Sequence, residues 1–242
     1  MKYAVFTDLD DTFFYRGITP EKNLEAVRRA RENGHFVFIN TGRSTGIIPP
    51  ELLENVFDGI VASVGGEVYL GNETIVKKVF DTDDVLHFAE EFLLENRVFV
   101  FEATASGTYG AVRNTDSFVF DRIKEKGVEF TKLYVEGKPT DEQIKRIREK
   151  YELFIHPWYF EFTTKGCNKA TGMKIVSDRI NVPMQNCIAI GDSVNDIDMI
   201  KASGIPVCVE NAVPALKELC KYQTCHAENG ALYDCFQKFG LI

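Results

Sequence analysis

Phe6-Thr7-Asp8-Leu9-Asp10-Asp11-Thr12 is the stretch on which both fold and chemistry turn. Leading into it, Tyr3-Ala4-Val5-Phe6 reads as a short apolar strand of the kind buried on both faces of a parallel sheet. Asp8, Asp10 and Asp11 follow at once. Aspartate is a poor strand former, and an ionised carboxylate is costly to desolvate unless something positive meets it. Acids at the carboxyl end of a buried strand therefore mark a binding edge, because ligands of open α/β sheets sit there. An acidic surface turn is the competing reading, and the rest of the chain must separate the two.

Outward from this stretch, strands and helices alternate. Thr19-Pro20 predicts a helix start with Thr19 as N-cap and Pro20 at the first helical position, Leu24, Val27 and Ala30 as its apolar face and Gly34 as its end. Phe36–Ile39 reads as a second buried strand ending at Asn40-Thr41-Gly42-Arg43, and Gly59–Ser63 as a third after a helix-like Pro50–Val56. Such alternation specifies a right-handed parallel sheet. The grammar then changes. Glu67–Leu70 and Thr74–Phe80 read as a hairpin around Gly71-Asn72-Glu73, and Asp83–Asn96 as an amphipathic helix. Aromatic-rich strands follow at Val98–Glu102, Phe130–Val135, Leu153–His156 and Trp158–Thr163, with helices at Phe118–Lys126 and Asp141–Lys150 between them. From Asn168 the first grammar returns: a helix over Lys169–Ile180, the strand Cys187–Ile190 ending at Gly191-Asp192-Ser193-Val194-Asn195-Asp196, a helix to Ala202, the strand Pro206–Val209, and helices at Pro214–Cys220 and Ala231–Phe239. The expected fold class is α/β: a Rossmann-like three-layer core with a parallel sheet, discontinuous over 1–82 and 164–242, interrupted by an α+β domain at 83–163.

The 242 residues are 45% hydrophobic, enough for a sizeable core, and the net charge of −8 argues against nucleic acid or an anionic membrane as partner. No run of about 18 apolar residues exists, and the immediate entry into a strand leaves no room for a signal peptide. The six cysteines show no CxxC pair and read as reduced core residues. A cytoplasmic protein, monomeric or weakly homodimeric, is expected.

If the strands are parallel, Asp8/Asp10/Asp11, Thr41-Gly42-Arg43, the helix start at Lys169 and Asp192/Asn195/Asp196 converge on one edge. Carboxylates about 4–6 Å apart repel by kcal/mol amounts, so protons or a cation must relieve them. An all-oxygen site suits Mg²⁺ together with a substrate phosphate. Beside it a Thr hydroxyl, a Gly N–H and a Lys ammonium form a phosphate cradle. Each feature has a plainer reading. Thr41 could cap the next helix, Lys169 could be solvated, and Asp192 and Asp196 could be an N-cap and a first-turn acid.

The four motifs Asp8-Leu9-Asp10-Asp11-Thr12, Thr41-Gly42-Arg43, Lys169 and Gly191-Asp192-Ser193-Val194-Asn195-Asp196 resemble those of haloacid dehalogenase superfamily phosphatases. The long interval from Thr41 to Lys169 resembles the class IIB (Cof-like) branch, in which an α+β cap domain is inserted there. The resemblance implies Asp8 as nucleophile, Asp10 as general acid and base, and Lys169 as the third catalytic residue. It places Thr41, Gly42, Lys169 and Asn195 on the phosphate, with Arg43 ranked below them. It implies Mg²⁺ as cofactor, held at an acidic set of Asp8, Asp10 (through its backbone carbonyl), Asp192 and Asp196, with Asn195 and Asp196 ordering the metal shell and Lys169. Asp11 reads as structural. Val64-Gly65-Gly66 departs from the Asn-Gly often found in that branch. The four histidines read as bystanders. Tyr109, Arg113 and Trp158 are candidates for the cap's contact with the substrate. The implied activity is hydrolysis of a small phosphate ester, most of all a sugar phosphate. The alternatives are a phosphomannomutase-like mutase, which would need several basic anchors in the cap, and a non-catalytic phospholigand-binding protein.

Overall fold

The computed structural model describes residues 1–95, 97–103, 108–112, 121, 123–124 and 128–242. In chain order its elements are β1 (Ala4–Thr7), α1 (Glu21–Glu32), β2 (Phe36–Asn40), α2 (Pro50–Leu53), β3 (Gly59–Ala62), β4 (Glu67–Leu70), β5 (Glu73–Lys77), α3 (Thr82–Leu94), β6 (Val98–Ala103), β7 (Thr108–Val112) and β8 (Phe130–Glu136). They continue with α4 (Asp141–Lys150), β9 (Tyr151–Ile155), β10 (Tyr159–Thr164), α5 (Lys169–Arg179), β11 (Cys187–Gly191), α6 (Ile197–Ala202), β12 (Ile205–Cys208), α7 (Pro214–Lys217), β13 (Tyr222–Gln223) and α8 (Ala231–Lys238).

Two sheets result. The first has the order β13-β12-β11-β1-β2-β3-β4-β5, parallel from β13 to β3 and closed by the antiparallel pairs β3–β4 and β4–β5. β1 lies between β11 and β2, with Thr7 opposite Ile190 on one side and Ile39 on the other. All four residues of β1 are buried, as its unbroken apolar sequence requires of a central parallel strand. The second sheet, β7-β6-β8-β10-β9, is wholly antiparallel. Each sheet has its own hydrophobic cluster. The second is built largely of phenylalanines, with Phe88, Phe92, Phe99, Phe101, Phe130, Phe160 and Phe162 all buried. Phe88 and Phe162 pack edge to face at 4.8 Å.

The chain passes between the sheets twice, side by side: Lys78 Nζ donates to Lys165 O at 3.4 Å, and Phe80 N to Phe130 O at 2.8 Å. Just above this crossing the buried carboxylate of Glu67 accepts from Ser63 Oγ, Thr45 Oγ1, Tyr69 and Thr131 Oγ1 of β8, all neutral donors. No helix among the described residues is long and apolar enough to cross a membrane. The six cysteines are free thiols.

Several boundaries differ from the sequence reading for local reasons. α1 starts at Glu21 with Pro20 as a cap that makes no side-chain bond, rather than with Thr19 as cap. Its buried face is Asn23, Ala26, Val27 and Ala30, while Leu24 is 38% exposed. The polar Asn23 takes that place because its amide donates to Phe13 O and accepts from Leu232 N. β9 and β10 are shifted from the expected Leu153–His156 and Trp158–Thr163, because His156-Pro157-Trp158 make the turn between them. β7 and β13 were unforeseen. Gly110 and Ala111 weaken the strand signal of the first, and the second is two residues long. The expected helix at 118–126 falls largely outside the described residues.

Candidate active site

Three neighbouring strands, β11, β1 and β2, release their chains at the same carboxyl edge, and their next residues are Asp192, Asp8 and Thr41. Asp8 N donates to Ile190 O at 2.9 Å, extending the ladder by one residue, so the Asp8 side chain is held by strand geometry. Thr41 N is tied to Val61 O at 2.8 Å. α5 brings the fourth motif: Asn168 caps it in a reciprocal box with Thr171, and Lys169 is its first residue. Asn40 Nδ2 holds the carbonyl of Lys169 at 3.0 Å, fixing this helix end against β2. The turn beneath it is strained. Ser63, Val64 and Gly65 all have positive φ, an outlier for a β-branched Val. The strain is held by Ser63 N to Arg43 O and Val64 N to Thr41 O, and Gly65 is required because a Cβ would lie 2.4 Å from Asn168 O.

Lys169 is fully buried, its Nζ 2.8 Å from Asp8 Oδ1 and 2.5 Å from Asp196 Oδ1. The other oxygen of Asp196 accepts from Asp192 N and Ser193 N, each at 2.9 Å. That close approach needs Gly191, where a Cβ would come within 2.5 Å of the Asp196 carboxyl carbon. Thr12 Oγ1 donates to Asp192 Oδ1 at 3.0 Å. Asp8, Asp192 and Asp196 offer oxygens that all lie within 4.8 Å of one another.

Burial pushes the Asp8 carboxyl up to about 7, with Lys169 pulling it back and Asp196 and Asp10 adding to the rise. Burial pushes Asp192 up to about 9, helped by Asp196 and Asp8. For Lys169, burial alone would lower the ammonium, but Asp196 and Asp8 raise it above its ordinary value. The cluster thus has more negative charge than one lysine neutralises, and all its donors are hard oxygens, the set that a small divalent cation such as Mg²⁺ prefers. The residues fit that ion. Asp8 and Asp192 have oxygens to give it, whereas both oxygens of Asp196 are engaged by Lys169 and the backbone.

The remaining predicted residues surround this cluster. Asp8, Asp10, Asp11, Gly42, Arg43, Asp192, Ser193 and Asn195 all line one cleft of about 230 Å³. The Asp10 side chain stands outside the carboxylate cluster, because Arg43 grips both its oxygens at 2.7 Å. Asp11 has φ +52° and its carbonyl accepts from Asn211 Nδ2, in keeping with a structural reading.

The far wall of the cleft was not legible in the sequence. It is made by Lys132 on β8 and by Tyr159 and Glu161 on β10, with Glu102 of β6 behind them. Lys132 Nζ lies 3.0 Å from Glu102 Oε1 and 3.0 Å from Glu161 Oε2. Glu102 Oε2 accepts from Ser44 N, and Glu161 Oε1 from Asn195 Nδ2, so the wall reaches across to the loops of the first sheet. His156, read as a bystander, instead lies 3.3 Å from Glu161 and stacks on Tyr159. Trp158 is 82% exposed and outside the cleft, because it sits at the tip of the β9–β10 turn. Arg113 and the side chain of Tyr109 lie outside the described residues. Alternation along β8 and β10 marks only that Lys132 and Glu161 lie off the face of Leu133, Phe160 and Phe162, and it does not pair them.

Comparison with known proteins identifies the family and the fold. The family model of haloacid dehalogenase-like hydrolases matches residues 5–236. A putative phosphatase of Streptococcus pyogenes serotype M6, M6_Spy0533, is 32% identical over 249 residues, covering 91% of each chain. The 5-amino-6-(5-phospho-D-ribitylamino)uracil phosphatase YcsE of Bacillus subtilis is 26% identical, covering 90% of this chain and 87% of the relative. Among solved structures, the subclass IIB sugar phosphatase BT4131 shares the fold with a TM-score of 0.81 at 23% identity, covering 99% of this chain and all of that one. A parallel sheet with its acidic edge, a second antiparallel sheet over it and a family match along nearly the whole chain lead to one assignment: the protein belongs to the haloacid dehalogenase-like hydrolases, in their class IIB (Cof-like) branch of phosphatases.

Proposed function

We propose that this protein is a Mg²⁺-dependent phosphomonoester hydrolase that cleaves small sugar or polyol phosphates of the cytoplasm through an aspartyl-phosphate. The observation that carries the reading is the convergence of Asp8, Asp192, Asp196 and Lys169, from three separate parts of the sequence, on one buried point. The relatives named for a phosphoribitylamino compound and for sugar phosphates support the substrate class. In this reading residues 1–82 and 164–242 form the catalytic core and 83–163 the cap.

Asp8 attacks phosphorus in line, forming an Asp8–O–P bond while the bond from phosphorus to the alcohol oxygen breaks. Asp10 gives its proton to the departing alkoxide. Water then attacks phosphorus, its proton passes to Asp10, the Asp8–O–P bond breaks, and orthophosphate leaves with Asp8 regenerated. Lys169, Thr41, the Gly42 N–H and Asn195 hold the phosphoryl oxygens and keep them in line. Mg²⁺, held by Asp8, Asp192 and the Asp10 carbonyl, would supply charge neutralisation for the phosphoryl group. Asp196 orients Lys169 and the Asp192 backbone, and a direct metal contact is not assigned to it. Arg43 settles on Asp10, donating to both of its oxygens at 2.7 Å and so fixing where that carboxyl stands beside the cleft.

A mutase must anchor a second phosphate in the cap. The cation that the described cap residues present to the cleft, Lys132, is already shared by two carboxylates, which favours the hydrolase. The test is release of orthophosphate from a panel of phosphate esters with Mg²⁺ and with EDTA. Activity should require the metal, and Asp8→Asn should lose roughly 10³-fold or more in kcat, in line with the loss of a nucleophile. Robust turnover by Asp8→Asn would falsify the assignment.

A further inference from the structure

We infer that Glu102, Lys132 and Glu161 form a charge filter, one that admits phosphate esters of neutral polyols and turns away esters whose alcohol carries a second anion. The inference deepens the phosphatase reading above and rests on it.

Three observations converge. First, the cleft's cations are already committed among the described residues: Arg43 to both oxygens of Asp10, and Lys132 to Glu102 and Glu161. Second, the triad is desolvated, with side chains 4–8% exposed, and its two carboxylates outnumber its ammonium. Against burial, Lys132 and His156 hold the Glu161 carboxyl below the usual carboxylate range, so the wall keeps its negative charge. Third, the wall cannot readily turn to release its lysine. Each glutamate gives one oxygen to Lys132 and the other to the first sheet: Glu102 to Ser44 N at 2.9 Å, Glu161 to Asn195 Nδ2 at 3.2 Å. A carboxylate or phosphate on the leaving alcohol would face Glu161 with no uncommitted cation beside it, in a medium where charge repulsion is strong. A hydroxyl can instead donate to Glu161 or accept from the Tyr159 phenol, which burial and Glu161 keep protonated. The volume of about 230 Å³ suits a phosphoryl group with a short polyol.

The test compares kcat/KM of the full-length protein with Mg²⁺ on sn-glycerol 3-phosphate and 3-phosphoglycerate. These esters have matched size, and their alcohols are glycerol and the glycerate anion. p-Nitrophenyl phosphate reports the hydrolytic reaction itself. The wild type should favour glycerol 3-phosphate by about thirtyfold or more, the scale of one uncompensated charge contact at a protein-like dielectric. Glu102→Gln or Glu161→Gln, whichever stays folded, keeps a hydrogen-bonding oxygen but frees charge on Lys132, and should shrink that ratio about tenfold, chiefly through a lower KM for 3-phosphoglycerate. Equal or reversed preference in the wild type, with p-nitrophenyl phosphate hydrolysed, overturns the filter and leaves the phosphatase standing. A ratio unmoved in a folded glutamine variant overturns the role of these residues. No hydrolysis of any of the three esters overturns both readings.

Discussion

Two buried lysines, one in each half of the molecule, sit between pairs of carboxylates in nearly the same geometry. Lys169 at the head of α5 spans Asp8 and Asp196 at 2.8 and 2.5 Å, and Lys132 in the middle of β8 spans Glu102 and Glu161 at 3.0 Å each. What differs is the third carboxylate. Beside Lys169, Asp192 adds a third carboxylate that among the described residues has only the neutral Thr12 hydroxyl as side-chain donor, and the site has a deficit that invites a cation. Beside Lys132 both acids have backbone or amide donors from the first sheet for their second oxygens, so the triad is closed. An incomplete charge cluster can do chemistry on an incoming ion, while a completed one is a wall.

That contrast can be broken most directly at Lys169. Lys169→Met should cost about 10³-fold or more in kcat/KM, since it removes a phosphate contact and the positioning of Asp8 together, and steady-state kinetics would show it. Lys132→Met should be the reverse case. It should destabilise by about 3–5 kcal/mol, because two buried carboxylates lose their counter-charge, while hydrolysis of p-nitrophenyl phosphate falls no more than about tenfold. Denaturant unfolding and kinetics on the same preparation measure both. Equal catalytic loss in the two variants would erase the distinction.

The unanswered charge also predicts a pH dependence. Asp8 and Asp192 have carboxyls raised to about 7 and about 9, so the folded chain binds their protons more tightly than the unfolded chain does. Their contribution is fully present below the ordinary Asp value and is lost as pH rises through 7 and then 9. Without divalent cation, the melting temperature should fall between pH 5 and 9. Stabilisation by Mg²⁺ should grow over the same interval, because the ion competes with those protons. A Mg²⁺ effect that is flat or falls with pH would contradict the surplus of charge. The smallest effect belongs to a third lysine. Lys174 pairs with Asp178 at 2.9 Å, but both side chains are about two-thirds exposed, and Lys174→Ala should change stability by less than about 0.5 kcal/mol.

The same pair of lysines shows what a sequence reveals. Lys169 was legible because it opens a helix between two recognisable stretches, and because Asp8, Thr41 and Asp192 stand at the ends of apolar strands where ligands bind. The alternation of β1, α1, β2 and β3 fixed the parallel sheet for the same reason: a wholly apolar run followed by an amphipathic helix has few other solutions. Lys132, Glu102 and Glu161 were illegible. They lie within antiparallel strands, and only the register, Glu102 opposite Lys132 and Glu161 opposite Tyr134, brings them to one face. Strand register in a cap with five antiparallel strands depends on tertiary pairing, which local pattern does not encode. Trp158 misled because a large aromatic looks like a contact, whereas here it crowns a turn.

The neighbouring crossings of Lys78 and Lys165 have a consequence for how such a molecule can change. A segment that leaves and returns through adjacent openings can be lengthened, trimmed or replaced by another without moving the strands that aim Asp8 and Asp192 at each other. The two sheets are therefore mechanically separable, and the Glu67 knot, which Thr131 of the second sheet shares with Ser63 just after β3 of the first, is the fastening any transplanted segment would have to match.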